Sequence, residues 1–130
     1  MDFNLEDLNP GVTFYFDDAE PEKGSVTLRA CPGDVMADIE KKTTTKRVEY
    51  KRGQRFEVVD KKEDKWRELF YDYVILGWEN ISANGAPLEC TKENKLTLMG
   101  QSPVFAVFVA DRLEKLNNEL IDRAEAAEKN

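Results

Sequence analysis

The sequence contains no histidine, so the side chains that could do chemistry are mainly its carboxylates and its basic groups. That absence removes Ser–His and Cys–His nucleophilic pairs and the commonest zinc ligand. The best remaining enzymatic pattern is Glu49-Tyr50-Lys51 on a predicted strand, with Asp34 or Asp38 upstream. Two carboxylates could hold Mg²⁺ while the lysine steadies a phosphate, as in a metal-dependent nuclease. Such a triplet arises easily in a charged hairpin, so we expect no catalytic residue, metal or cofactor.

Two further patterns give little support to a metal site. Cys31 and Cys90 lie far apart in the sequence, which is not the spacing of a zinc site, and we expect ordinary packed or half-exposed thiols. The acidic segment 17–22 lacks the tight-turn glycine and the distal glutamate of a calcium loop. A solvated loop is therefore the favoured interpretation.

Charge is segregated along the chain. The net charge is −7, divided into −8 for residues 1–40, +6 for 41–67 and −5 for 68–130. The acidic total argues against a general nucleic-acid binder. Arg47, Arg52 and Arg55 belong to the basic block, but Glu49 and Glu57 interleave with them. We expect a solvated hairpin whose arginines could dock an acidic protein surface or a sister subunit.

Targeting signals are missing from the sequence. The first ten residues are acidic and lack the apolar core of a signal peptide. A membrane span needs about 18 consecutive apolar residues, and no apolar run in the sequence approaches that length. These features predict a chain with free thiols in a reducing cytoplasm, with no membrane partner.

Alternating apolar residues predict two β-hairpins in the first half of the chain. The first joins strands 12–16 and 26–30 through the acidic loop, and a short helix capped by Asp34 follows to about Lys42. In the second hairpin Val48 and Tyr50 share one face with Phe56 and Val58, which requires a loop of odd length. A three-residue loop at 51–53 meets that requirement.

Helix signals dominate the second half. The main helix is predicted to begin at Asp60 and to stop at Gly77, with an apolar stripe that covers almost its whole circumference. Asn84-Gly85 predicts a turn. Thr91 caps a short helix that ends at Gly100, and Ser102-Pro103 begins the last helix.

The last helix carries a continuous apolar stripe that is the main candidate for binding a partner. Its members are Phe105, Phe108, Val109, Leu113, Leu116 and Leu120. The stripe could be core or interface; core is the default for its first half, because a small domain needs its apolar faces. From Leu116 onward we expect it to project past the domain. Aspartate at Leu116 and Leu120 should then weaken binding and leave the fold intact.

Together these elements predict one α+β domain. A small antiparallel sheet of about four strands in two hairpins comes first, and about three helices follow. Residues 1–60 are mainly strands with one short helix, and residues 61–130 are mainly helical with a frayed end. A chain of 130 residues can bury enough surface to fold as such a unit.

Several phrases within residues 45–115 resemble the tail assembly chaperones of long-tailed bacteriophages and prophages. They are K-R-V-E-Y-K-R-G-Q-R-F-E-V, the aromatic helix leading to L-G-W-E-N-I, N-G-A-P-L-E-C-T-K-E-N-K and S-P-V-F-A-V-F-V. The resemblance implies a non-enzymatic protein that coats the helical tape-measure protein and shields it before the tail tube polymerises. No catalytic motif is carried over.

Three other functions stay open at this point. The chain could be a structural tail-completion or connector component that remains in a phage particle. It could be the metal-dependent nuclease, or a small regulator that binds a host protein through its basic hairpin.

Overall fold

The computed structural model describes residues 2–129 and confirms the predicted α+β class. The strands are β1 Val12–Tyr15, β2 Ser25–Leu28, β3 Thr44–Lys51, β4 Gln54–Lys61, β5 Ile75–Glu79, β6 Ser82–Ala83 and β7 Ala86–Pro87. The helices are α1 Gly33–Thr43, α2 Glu63–Val74, α3 Lys92–Gln101 and α4 Pro103–Lys129. The short turn β6–β7 contains Asn84-Gly85, as predicted.

The main sheet has the order β1-β2-β5, and all neighbouring strands are antiparallel. The predicted first hairpin is therefore confirmed, and β2 is its buried centre. Val26 and Leu28 point into the core, whereas Thr27 points outward and its hydroxyl lies 2.8 Å from that of Thr13. Alternation along β2 thus gives the sheet one apolar face and one polar face.

The boundaries predicted for the main helix are wrong at both ends. Asp60 lies in β4, where its carboxylate accepts a hydrogen bond from Arg47 Nε at 2.8 Å, and α2 begins only at Glu63. At the other end α2 stops at Val74, and Ile75 starts the strand that pairs with β2. The β-branched pair Val74-Ile75 fits this change, because such side chains favour extended backbone when the sheet offers an open edge.

The predicted register of the second hairpin is also wrong. β3 and β4 are joined by the two residues Arg52 and Gly53, which both have positive φ (51° and 75°), as a type I′ turn requires. An even loop places Val48 opposite Glu57, so the apolar residues divide between the two faces. None of the core residues that the structure describes belongs to this hairpin, so packing does not impose one apolar face and the turn geometry decides the register.

The starts of α3 and α4 follow local capping chemistry, as predicted. Thr91 Oγ1 accepts the backbone N–H of Asn94 at 3.1 Å at the start of α3. Ser102 Oγ accepts the N–H of Phe105 at 3.1 Å, and Pro103 is the first residue of α4. The earlier helix α1 begins at Gly33, one residue before the predicted cap Asp34. α4 runs to Lys129, and the frayed end of the chain stays a prediction.

The core forms where α4 crosses the apolar face of the sheet. It contains Val26, Leu28, Val74, Ile75, Met99, Phe105, Val109 and Leu116. Trp78 meets the Phe105 ring edge-on at 5.8 Å between centroids and donates its indole N–H to the Leu88 carbonyl at 2.7 Å. Leu116 is only 1% exposed, so the prediction that α4 projects past the domain from this residue onward is wrong.

Two lysines of α3 tie this helix to α2. Lys92 Nζ lies 2.6 Å from Glu68 Oε1 at the surface. Lys95 is buried, and it donates to the Asp72 carboxylate at 3.1 Å and to the Asp72 carbonyl at 3.2 Å. A buried ammonium is tolerated only with such partners. These contacts fix α3, and through the short Ser102 connection they fix the start of α4.

Leu116→Ala should destabilise the fold by about 2–5 kcal/mol, because it leaves a cavity in a fully buried site. Ile121→Ala, on the same helix but 56% exposed, should cost less than about 1 kcal/mol. Urea unfolding followed by circular dichroism measures both values. Equal and small effects would mean that Leu116 is not core.

Glu68→Gln should lower the urea midpoint at pH 7, and the difference from the wild type should disappear in acid. The Lys92 hydrogen bond lowers the pKa of Glu68, so this carboxylate stabilises the fold above its unfolded-state pKa. That contribution is lost as the pH falls through the folded-state value. Midpoints of both proteins between pH 7 and pH 3 test this, with exposed Glu114→Gln as the control. A difference that persists at low pH would contradict it.

Candidate functional site

The structure divides the six helix residues predicted to bind a partner. Phe105, Val109 and Leu116 are buried in the core of the single chain and cannot bind a partner in this conformation. The other three are half-buried and pack against that core: Phe108, Leu113 and Leu120. The stripe that covers the sheet is therefore not the exposed surface of α4.

A different side of α4 presents apolar groups to solvent. We call it the helix face; it consists of Val104, Val107, Phe108 and Arg112, together with Phe16 from the loop after β1. Val104 is 80% exposed and Val107 is 69% exposed. With Pro103 and Asp111, the α4 residues of this face line an open depression of about 600 Å³. Because exposed apolar patches are where protein contacts form, the helix face is the candidate partner surface.

Phe16 extends the helix face beyond α4. Its ring centroid lies 4.5 Å from that of Phe108, and its backbone N–H donates to the Gly24 carbonyl at 3.1 Å. Gly24 has a φ of 131°, and a Cβ there would meet the Phe16 ring at 3.0 Å. The loop between β1 and β2 therefore needs this glycine to hold the phenylalanine against α4.

Charged groups bound the helix face on its C-terminal side. The Arg112 guanidinium lies 4.5 Å from the Phe108 ring centroid, and Asp111 pairs with Arg112 and with Lys115. Partial desolvation acts to raise the pKa of Asp111, but hydrogen bonds from Arg112 and Lys115 outweigh it and hold the pKa below its usual value. The carboxylate stays ionised at neutral pH, so the apolar surface ends in a paired, solvated cluster.

The predicted basic residues of the hairpin fall in three different places. Arg47 Nη1 lies 2.7 Å from Glu49 Oε1, and its Nε binds Asp60, so it is engaged within its own face. Arg52 is exposed in the turn. Arg55 lies opposite Tyr50 on the other face. Arg55 therefore shares its face of the hairpin with an aromatic side chain.

We call that second surface the hairpin face. It is formed by Lys46, Val48, Tyr50, Arg55, Val59 and Lys61, with Glu57 as the one acidic residue that β3 and β4 place there. Tyr50 is 71% exposed, and every other member is exposed as well. Lys61 also reaches Trp66 at the base, with its Nζ 5.2 Å from the ring centroid. The surface combines apolar groups with positive charge.

The groups considered for catalysis are engaged elsewhere. Glu49 binds Arg47, and Asp38 pairs with Lys42 at 2.8 Å. Lys51 is exposed at the end of β3. Among the side chains that the structure describes, no three of the types His, Cys, Asp or Glu are grouped so that they could hold a metal ion. This arrangement gives no support to the nuclease hypothesis.

The remaining reactive groups are the two cysteines, and neither forms a disulfide. Both are half-buried, as predicted. Burial raises the pKa of Cys31, and nearby Asp34 raises it further; burial also raises the pKa of Cys90. A raised pKa leaves little thiolate at neutral pH, so neither thiol has the character of a nucleophile.

The signal for the helix face was present in the sequence but was not used. Residues 103–109 read P-V-F-A-V-F-V, which is apolar around the whole circumference of the helix. A second stripe lies beside the one that enters the core, and it is formed at helical spacing by residues 104, 107, 108, 111 and 112. Sequence periodicity shows both stripes, and only the packing of α4 on β2 decides which one stays exposed.

Comparison with known proteins places the chain among prophage proteins. The family model of the YdaY prophage protein matches residues 33–130, which include both surfaces except Phe16. No curated protein and no solved structure matches the chain. None of the helices described between residues 2 and 129 is long and apolar enough to cross a membrane. Since the match covers about three quarters of its length, the chain belongs to the YdaY prophage protein family.

Proposed function

We propose that this protein is a non-enzymatic tail assembly chaperone that binds the tape-measure protein of its prophage in the bacterial cytoplasm. It shields the apolar surface of that long helical protein until the tail tube assembles around it. The exposed helix face is the observation that carries the proposal. Membership of a prophage family and the sequence resemblance to tail assembly chaperones supply the setting.

The helix face has the chemistry that shielding requires. Val104, Val107 and Phe108 present aliphatic and aromatic groups on a helix, the surface into which an apolar stripe of a partner helix packs. Burying them removes apolar area from water on both partners. The Asp111–Arg112 pair borders the contact and adds a charged rim, which favours a defined orientation of the partner.

The small extent of the helix face suits a contact that must later be broken. Stable protein complexes bury at least about 1,200 Å² of surface at their interface, and a few apolar side chains bury less. Incoming tube subunits can therefore displace the chaperone. The net charge of −7 favours solubility in a protein with exposed apolar groups and opposes its nonspecific aggregation.

A structural tail-completion or connector component is the alternative function. Such a component would remain in the finished particle, whereas a chaperone would leave. Mass spectrometry of purified particles from the induced prophage distinguishes the two. Stoichiometric presence of this chain in tails would overturn the chaperone function in favour of the structural one.

Val104→Asp/Val107→Asp should weaken capture of the tape-measure protein by at least about tenfold, because each new carboxylate would lose its hydration in the contact. Co-expression of the two proteins and pull-down measure the effect. The matched control is Asn117→Asp/Asn118→Asp, which adds the same charge at exposed positions of the same helix.

The thermal midpoint of the double variant should stay close to that of the wild type, since both valines are exposed. If it unfolds, Val104→Ala/Val107→Ala replaces it with the same expected direction. Unchanged capture by a folded variant would show that the helix face does not bind the tape-measure protein.

A further inference from the structure

The β3–β4 hairpin stands away from the rest of the domain with little to cover it. From residue 45 to residue 61 only Glu49 and Val58 are half-buried, and all the others are exposed. The hairpin pairs with no further strand among the described residues, so both of its edges are open. A two-stranded hairpin alone is marginally stable, and open edges recruit other chains. These features point to a partner that covers the hairpin.

The side chains of the hairpin face indicate which chemical groups that partner must carry. Val48, Tyr50 and Val59 require apolar groups opposite them. Lys46 and Arg55 pair with no carboxylate among the side chains that the structure describes, which leaves two free cations on the same face. The partner must therefore combine apolar side chains with negative charge.

The N-terminal segment of this chain has that combination. Residues 2–8 read D-F-N-L-E-D-L and include three carboxylates and three large apolar side chains. Phe3, Leu5 and Leu8 are all exposed, Leu5 to 80%. The segment leaves the domain at Asn9, which is held by two hydrogen bonds to the Ala30 backbone at 2.7 and 3.2 Å. It is thus an accessible acidic and apolar peptide with a fixed base.

We propose that residues 2–8 of one copy dock on the hairpin face of a second copy. Asp2, Glu6 and Asp7 meet the free cations, while the apolar side chains of the segment cover those of the hairpin. Residues 4–7 form a turn in the single copy, where the Asp7 N–H donates to the Asn4 carbonyl at 3.0 Å, so docking requires this turn to open. Once extended, the seven residues span about 23 Å, close to the about 26 Å of an eight-residue strand. Both surfaces are uncovered within one copy, so each is available to another copy.

The contact is heterologous, because a segment meets a hairpin and like surfaces repel each other. Each copy then carries one donor and one acceptor surface, and association proceeds head to tail into chains or closed rings. The small area and the charge pairing make it concentration-dependent and weaker at high salt. This inference does not rest on tape-measure binding, which uses the helix face.

Charge reversal tests the inference by sedimentation. Lys46→Glu/Arg55→Glu makes both surfaces of a copy negative, and Glu6→Lys/Asp7→Lys makes both positive. Either variant alone should stay monomeric where the wild type associates, with a Kd raised at least about tenfold. An equimolar mixture should associate like the wild type, because every contact again joins opposite charges. Structural damage would not be repaired by mixing.

The control is Lys51→Glu/Arg52→Glu, which reverses the same charge in the same hairpin but off the hairpin face. It should associate like the wild type.

The proposal is overturned if the wild type is monomeric at all concentrations up to the millimolar range, if the mixture stays monomeric, or if the control dissociates equally. It is also overturned if wild-type monomers retain a single-stranded oligonucleotide that Lys46→Glu/Arg55→Glu releases. Lys46→Glu/Arg55→Glu should still capture the tape-measure protein, because that contact uses the helix face. Failure of self-association can therefore be told apart from failure of the proposed function.

Discussion

The packing of α4 across the central strand β2 is the contact on which the rest of the structure depends. A three-stranded sheet with one apolar face needs a cover, and α4 supplies it with Phe105, Val109 and Leu116. The same contact holds Trp78 against Phe105 and encloses Met99 of α3. Without it Val26 and Leu28 would face water, and the short strands would lose their main stabilisation.

This contact also leaves exposed the surface that we propose binds the tape-measure protein. The first two turns of α4 are apolar on all sides, and a helix can turn only part of its circumference toward one sheet. Burying Phe105 and Val109 therefore leaves Val104 and Val107 in solvent. One helix then serves as the cover of the core on one side and as the candidate binding surface on the other.

The register of the β3–β4 hairpin has a different origin, because none of the described core residues belongs to it. Its turn fixes the register, and the register mixes charged with apolar side chains on each face. The result is an arm with basic and apolar character on a chain that is otherwise acidic. The two proposals therefore use two different surfaces of the protein: the helix face for the tape-measure protein and the hairpin face for another copy of the chain.

The sequence by itself determined the features that depend on residues within about four positions of each other. These are the caps at Thr91 and Ser102-Pro103, the Asn84-Gly85 turn, the alternation in β1 and β2, and the α+β class. Only the tertiary structure decided where α2 gives way to β5, which stripe of α4 is buried, and that Arg55 shares a face with Tyr50. Each of these depends on a distant strand or on its absence, and neither a capping residue nor a hydrophobic period specifies which neighbour a face will meet.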